Sequence, residues 1–227
     1  DCVFVAQEEE RLLDDLALPA ETEVLALPRA ILEPALTTET PQPIAALVRP
    51  PQWTWEDVLT RRRHRSALVV VLAGVQDPGN LGTIFRSAEA FGATGIVSLP
   101  GTVSVWNPKA LRASAGSVFR VPWLWTSAPK CFLRLRESGV TTWATATHHA
   151  KEAPFVDLAA PLALLIGNEG NGLDTKIAAM ANDSLTIPCP GPEESLRAAM
   201  AARVVLYEAS RQRSAMPGLQ RMTWSER

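Results

Sequence analysis

Cysteine is scarce in this 227-residue chain, and Cys2, Cys131 and Cys189 are odd in number and far apart. That pattern argues against a disulfide framework and fits a reducing compartment. Histidine is equally sparse. His64, His148 and His149 combine with the cysteines at no zinc-ligand spacing, so no metal is expected. Apolar runs are short: none approaches the ~18 residues of a membrane span. The first residues lack the basic-then-apolar order of a signal peptide. There is no internal repeat and no low-complexity segment. These absences, with 47% hydrophobic and 20% charged residues, predict a soluble cytoplasmic protein that touches no membrane.

Familiar catalytic signatures are missing too. Gly74 and Gly79 have the separation of a phosphate-binding loop, but Asn80 stands where a lysine would reach phosphate. No G-x-G-x-x-G follows the first long apolar strand, and Gly167 to Gly172 has the reverse spacing. No serine sits in a G-x-S-x-G elbow, and no cluster could hold a water-activating metal.

What is present begins with an uneven charge distribution. Residues 1–60 carry 12 acidic and 3 basic side chains, whereas residues 61–227 carry 19 basic and 12 acidic. A positive second part can attract a polyanion such as RNA. The first part alternates apolar strands (1–5, 23–27 and 44–48) with helical stretches (8–18 and 28–36). Such a unit of about fifty residues is near the lower limit for a self-sufficient core. Residues 51–66 read as a linker, with Trp53 and Trp55 followed by the basic run Arg61-Arg-Arg-His-Arg65. From residue 67 the pattern alternates strand and helix. Strands are expected at 68–72, 95–99, 142–146, 162–166 and 185–187. Helices are expected near 78–91, 107–112, 131–136, 173–181 and 194–213. That order indicates an α/β fold with a mainly parallel sheet. Residues 216–227 read as a loose tail.

Parallel sheets place ligands at the carboxyl ends of their strands, and three strand-end loops stand out. The first opens a helix at Asp77-Pro-Gly-Asn-Leu-Gly-Thr-Ile-Phe-Arg-Ser-Ala88. Leu81, Ile84, Phe85, Ala88 and Phe91 share one face of that helix and Arg86 points away from it. The second loop is Gly167-Asn-Glu-Gly-Asn-Gly172. The third, Pro188-Cys-Pro-Gly-Pro-Glu-Glu-Ser-Leu196, leads into the last helix.

Together these loops resemble, in order, motifs one, two and three of the SpoU (TrmH) family of RNA ribose 2′-O-methyltransferases, within the SPOUT superfamily. Lys109-Ala-Leu-Arg-Ala-Ser-Ala-Gly-Ser-Val-Phe-Arg120 matches the segment between them, and the likeness covers residues 67–212. The resemblance implies an α/β domain with a deep trefoil knot at 67–215, a homodimer through that domain with the active site near the interface, and S-adenosylmethionine as methyl donor to a ribose 2′-hydroxyl, with ribosomal RNA favoured as substrate. Residues 1–50 would be part of a ribosomal-protein-like RNA-binding domain whose first half is absent from this sequence. By motif match, Arg86 is the catalytic arginine, as base or as a clamp on the developing alkoxide. Asn80, Glu169 and Ser195 complete the catalytic set. Gly167, Ile187, Leu196 and Thr145 contact the cofactor. No metal is implied.

Plainer roles stay open at this point. Asn80 and Ser195 could be helix caps, Glu169 a surface carboxylate, Cys189 a packing residue and His148-His149 a solvated pair. Arg197 stands where the family usually has asparagine; arginine only donates hydrogen bonds and adds charge. A non-catalytic RNA-binding protein of the same fold, a tRNA 2′-O-methyltransferase and a different small-molecule enzyme remain alternatives.

Overall fold

The computed structural model describes residues 1–36, 38, 40–60, 66–146, 150–189 and 198–214. It divides into two compact units, Asp1–Gln52 and Trp53–Arg227. Within the first, β1 (Cys2–Ala6) runs parallel to β2 (Glu23–Leu27) and antiparallel to β3 (Ile44–Leu47). Helix α1 (Arg29–Ala35) follows Pro28 and buries Leu32. The helix expected at 8–18 is instead a 3-10 helix over Gln7–Leu13, with Glu9 in a non-helical conformation. It buries no residue, so no tertiary packing supports a longer helix.

The second unit is built on a seven-stranded sheet in which every pairing is parallel. The strands are β4 (Leu68–Leu72), β5 (Gly95–Ser98), β6 (Trp123–Trp125), β7 (Thr141–Thr145), β8 (Lys151–Glu152), β9 (Leu162–Ile166) and β10 (Asp183–Thr186). Their order is β6-β5-β4-β9-β7-β10-β8. β4 and β9 lie side by side near the middle, and every residue of both is buried, as continuous apolar runs require.

Helices cover both faces. α3 (Pro78–Ala90), α4 (Pro108–Ser114) and α7 (Ala198–Ser214) pack over Val70, Leu72, Ile96 and Leu164. α2 (Trp55–Leu59), α5 (Ala128–Glu137) and α6 (Thr175–Ala178) lie against Val69, Val71, Val97 and Leu165. The helical face expected for α3 is buried at Leu81, Ile84, Phe85 and Ala88, with Arg86 exposed. Asn107 caps α4 by accepting from the Lys109 N–H at 2.9 Å, and Pro108 takes its first position. Helix α2 falls inside the stretch read as a linker. Thr54 and Asp57 form a reciprocal capping box and Val58 is buried, so the segment is tied to the sheet. Among the described residues no helix is long and apolar enough to cross a membrane.

Two close fastenings matter later. A Cβ added to Gly82 would stand 2.5 Å from the Ala110 carbonyl oxygen and 2.6 Å from the Ala113 Cβ, so α3 and α4 meet backbone to backbone. A Gly82→Ala variant will force them apart and lose about 1–3 kcal/mol, read as a lower denaturant midpoint with unchanged slope. At the far end of α7, Arg213 donates to four carbonyls: Leu158 at 2.8 Å, Ser66 at 2.6 Å, Ala67 at 3.1 Å and Ala160 at 2.7 Å. It thereby closes the amino ends of β4 and β9.

Candidate active site

The carboxyl ends of β4 and β9 are adjacent because the two strands pair over their full length, Leu72 opposite Ile166. The loops that leave them therefore meet. After β4 the chain turns at Gly74, with φ +83°, a region open to glycine. Thr102 braces the turn: its hydroxyl donates to the Leu72 carbonyl at 3.0 Å and accepts from the Gly74 N–H at 3.1 Å. Asp77 then caps α3, accepting from the Asn80 N–H at 2.8 Å, and pairs with Lys109 at 3.3 Å. Asp77 fills the cap position, so the Asn80 side chain is left for another task.

That task is Glu169. Its carboxylate accepts from the Asn80 amide at 3.1 Å, the Asp77 N–H at 3.1 Å and the Gln76 N–H at 3.2 Å. Burial alone would push this carboxyl up. The Asn80 amide and the N–H groups of Glu169, Gln76 and Asp77 outweigh it and hold the pKa below the ordinary 4.5. The stabilisation is thus present above 4.5 and lost as pH falls through the lower folded value. Glu169→Gln removes it. In acid titrations followed by circular dichroism, the stability gap between the parent and Glu169→Gln will be full at neutral pH and will narrow in acid. A gap that does not change with pH would mean that the charge contributes nothing to the fold.

The second loop is shaped by a short bridge between Asn168 and Gly172, with reciprocal backbone bonds of 2.8 and 3.0 Å. Asn168 also ties its side chain to the first loop, donating to the Gly74 carbonyl at 2.9 Å and accepting from the Gly170 N–H at 2.9 Å. Gly167 is needed for closeness: a Cβ there would overlap the Gly172 carbonyl and the Leu173 N–H.

Beside this loop lies an open cleft of about 800 Å³, walled by the ends of β7, β9 and β10 and by the start of α7. Thr145, Gly167, Glu169 and Ile187 all line it. Thr145 is fixed by donating to the Leu165 carbonyl at 2.8 Å. The lining combines glycine backbone, a carboxylate, threonine hydroxyls and small apolar side chains, which suits a polar small molecule with an apolar part.

The structure thus gathers Asn80 with Glu169, and Thr145, Gly167 and Ile187 with the cleft. Arg86 joins neither group. It is exposed, lines no part of the cleft and has no side-chain partner among the described residues. Ser195, Leu196 and Arg197 lie outside the described residues, as do His64, His148, His149 and the basic run at 61–65. Cys189 is exposed at the edge of the cleft, whereas packing had been expected. Among the described residues no group of three or more His, Cys, Asp or Glu side chains could hold a metal ion. Sequence reasoning missed Asn168 and Thr102, which knit the two loops. An asparagine inside a glycine-rich loop was the available signal for the first; the second, on a different loop, gave none.

Comparison with known proteins bears on the same region. The SpoU rRNA Methylase family matches residues 67–207. A 23S rRNA (guanosine(2553)-2′-O)-methyltransferase, RlmP, of Bacillus subtilis is 33% identical over 204 residues, which cover 90% of this chain and 78% of that protein. A 23S rRNA (uridine(2479)-2′-O)-methyltransferase of Streptomyces viridochromogenes is 32% identical over 206 residues, 88% of this chain and 71% of that one. Among solved structures, the SpoU methyltransferase AviRb from Streptomyces viridochromogenes, in complex with the cofactor AdoMet, has a TM-score of 0.79 and 30% identity. It covers 94% of this chain and 83% of that one.

Proposed function

The chain belongs to the SpoU rRNA methylase family, and from that premise we propose that it is an S-adenosylmethionine-dependent 2′-O-ribose methyltransferase acting on ribosomal RNA. The observation that carries this is the joining of the first and second motif loops through Asn80 and Glu169 at 3.1 Å, directly beside the glycine-walled cleft.

S-adenosylmethionine fits the donor set of the cleft. Gly167 offers backbone where no side chain can intrude, and Thr145 and Ile187 supply a hydroxyl-bearing and an apolar wall. When bound there, the cofactor supplies an activated methyl group on a sulfonium. The work left to the protein is alignment of an in-line displacement. Glu169 holds Asn80 and the entry of α3 in one geometry. Leu196 and Ser195, outside the described residues, take cofactor-contacting and catalytic roles by motif match.

Arg86 is the catalytic arginine of this reading. Its guanidinium donates hydrogen bonds and accepts none, so it serves as an electrostatic clamp on the ribose oxygen as that oxygen becomes anionic. Arg86 is exposed and lines no described part of the cleft, so this reading brings it to a cleft through an assembly. A homodimer through the knotted domain, residues 67–215, provides one. Residues 1–50 serve in substrate binding, residues 216–227 lie outside the described residues, and the protein works in the cytoplasm.

The deciding experiment is mapping of 2′-O-methyl sites in ribosomal and transfer RNA from cells with and without this protein. One ribosomal site should disappear with the gene. A lost site confined to transfer RNA would replace the substrate assignment. An unchanged map, with no transfer by purified protein, would leave a non-catalytic RNA-binding protein.

A further inference from the structure

Between Glu89 and Glu137 the chain contains no acidic residue. The same span holds six basic ones: Lys109, Arg112, Arg120, Lys130, Arg134 and Arg136. Three of these are engaged with acids from elsewhere: Lys109 with Asp77, Arg120 with Glu89, and Arg134 with Glu56. Arg112 and Lys130 are exposed and have no ion pair among the described residues.

The span also concentrates aromatic rings at one edge of the sheet. Trp106 packs on Trp123 with ring centres 5.6 Å apart and on Phe119 at 5.9 Å. Alternation along β6 puts Trp125 on the same face as Trp123. Trp123 is half-buried against the core, but Trp125 is 65% exposed, although it ends the strand at the ligand-bearing side of the sheet. The large ring is thus held by an ordered strand, its register fixed by pairing with Ser98, and presented to solvent. Arg112 lies on α4, which covers the same face of the sheet as Trp123, whereas Lys130 lies in the first turn of α5, on the opposite face.

We infer that Trp125 is a stacking platform for an unpaired base of the RNA substrate, with Arg112 on a neighbouring phosphate. This rests on the methyltransferase reading and extends it by naming where the strand beyond the methylated nucleotide lies. Single-stranded RNA is recognised by aromatic faces flanked by basic side chains. An unpaired base matches the flat ring and its phosphate matches the exposed Arg112. β6 is three strands from β9, about 14 Å at ordinary strand spacing. A strand of RNA with one nucleotide at the cleft therefore passes Lys109 and reaches Trp125 a few nucleotides away.

The test uses the full chain and two substitutions, Trp125→Ala and Trp125→Phe. Binding of a fluorescein-labelled 12-nucleotide single-stranded RNA is measured by anisotropy. KM and kcat are measured on ribosomal RNA lacking its 2′-O-methyl groups. Trp125→Ala should weaken binding and raise KM by about 5- to 100-fold. Its kcat, S-adenosylmethionine affinity and melting temperature should match the parent, and Trp125→Phe should recover most of the loss. Parental RNA affinity and KM in Trp125→Ala would overturn the platform and assign the ring to a protein contact. A loss that Phe does not recover would also overturn stacking. If the parent binds RNA but transfers no methyl group, the binding arm still decides the platform while the enzymatic reading fails. If the parent binds no RNA, both fail.

Discussion

Arg86→Ala will bind S-adenosylmethionine as tightly as the parent and transfer methyl groups about 10²–10³-fold more slowly. Both halves of that result come from position. The arginine lines no part of the cleft, so its loss leaves the cofactor walls intact. It is exposed on the face of α3 opposite Leu81, Ile84 and Phe85, so truncation should change stability by no more than about 0.5 kcal/mol. In the proposed mechanism the slowing reflects removal of a donor that acts only when negative charge develops on the ribose oxygen. Isothermal calorimetry with the cofactor and single-turnover transfer on unmethylated ribosomal RNA separate the two. Equal loss of binding and transfer would make Arg86 a structural residue and sink the clamp.

Gly167→Ala will do the reverse: it will strike the cofactor first. A Cβ at this position meets the Gly172 carbonyl and the Leu173 N–H, both main-chain groups with no rotamer to yield. The loop must therefore move as a body. Overpacking of this kind costs about 1–3 kcal/mol. If the cost falls on the bound state, S-adenosylmethionine affinity drops by roughly 5- to 150-fold. The displaced loop also carries Glu169, so Asn80 loses its partner and transfer at saturating cofactor should fall as well. Calorimetry on Gly167→Ala beside Gly170→Ala checks it. Gly170 has only a side-chain oxygen near its missing Cβ, at 3.6 Å, and should tolerate alanine. Equal affinities in both variants would show that the Gly167 loop is not a cofactor wall.

Much of this architecture was legible in the residues. β4 and β9 could be read because a strand covered on both faces has no choice but a continuous apolar run. α3 and α4 could be read because apolar spacing and capping residues agree on their limits. β6 and β8 were not legible, since three and two residues give no period to detect. α2 hid in a stretch rich in proline and charge, where a single capping box and one buried valine decide the outcome. In the site, Asn80, Glu169 and Gly167 could be named from their motifs. Their mutual geometry could not, because it depends on two strands far apart in sequence pairing in register. The exposure of Arg86 was readable from the helix face; its separation from the cleft was not.

The fastening of Arg213 has a meaning in time as well as in space. Its guanidinium holds the Ser66 carbonyl, 147 positions earlier in the chain. On a ribosome adding about 5–20 residues per second, β4 emerges roughly 7–30 s before the residue that closes its amino end. Throughout that interval the central strand exists without its last helix. Contacts of such long sequence separation form slowly, so this domain completes its fold only after Arg213 has been made, and a pause or break before that residue leaves its central strand unfinished.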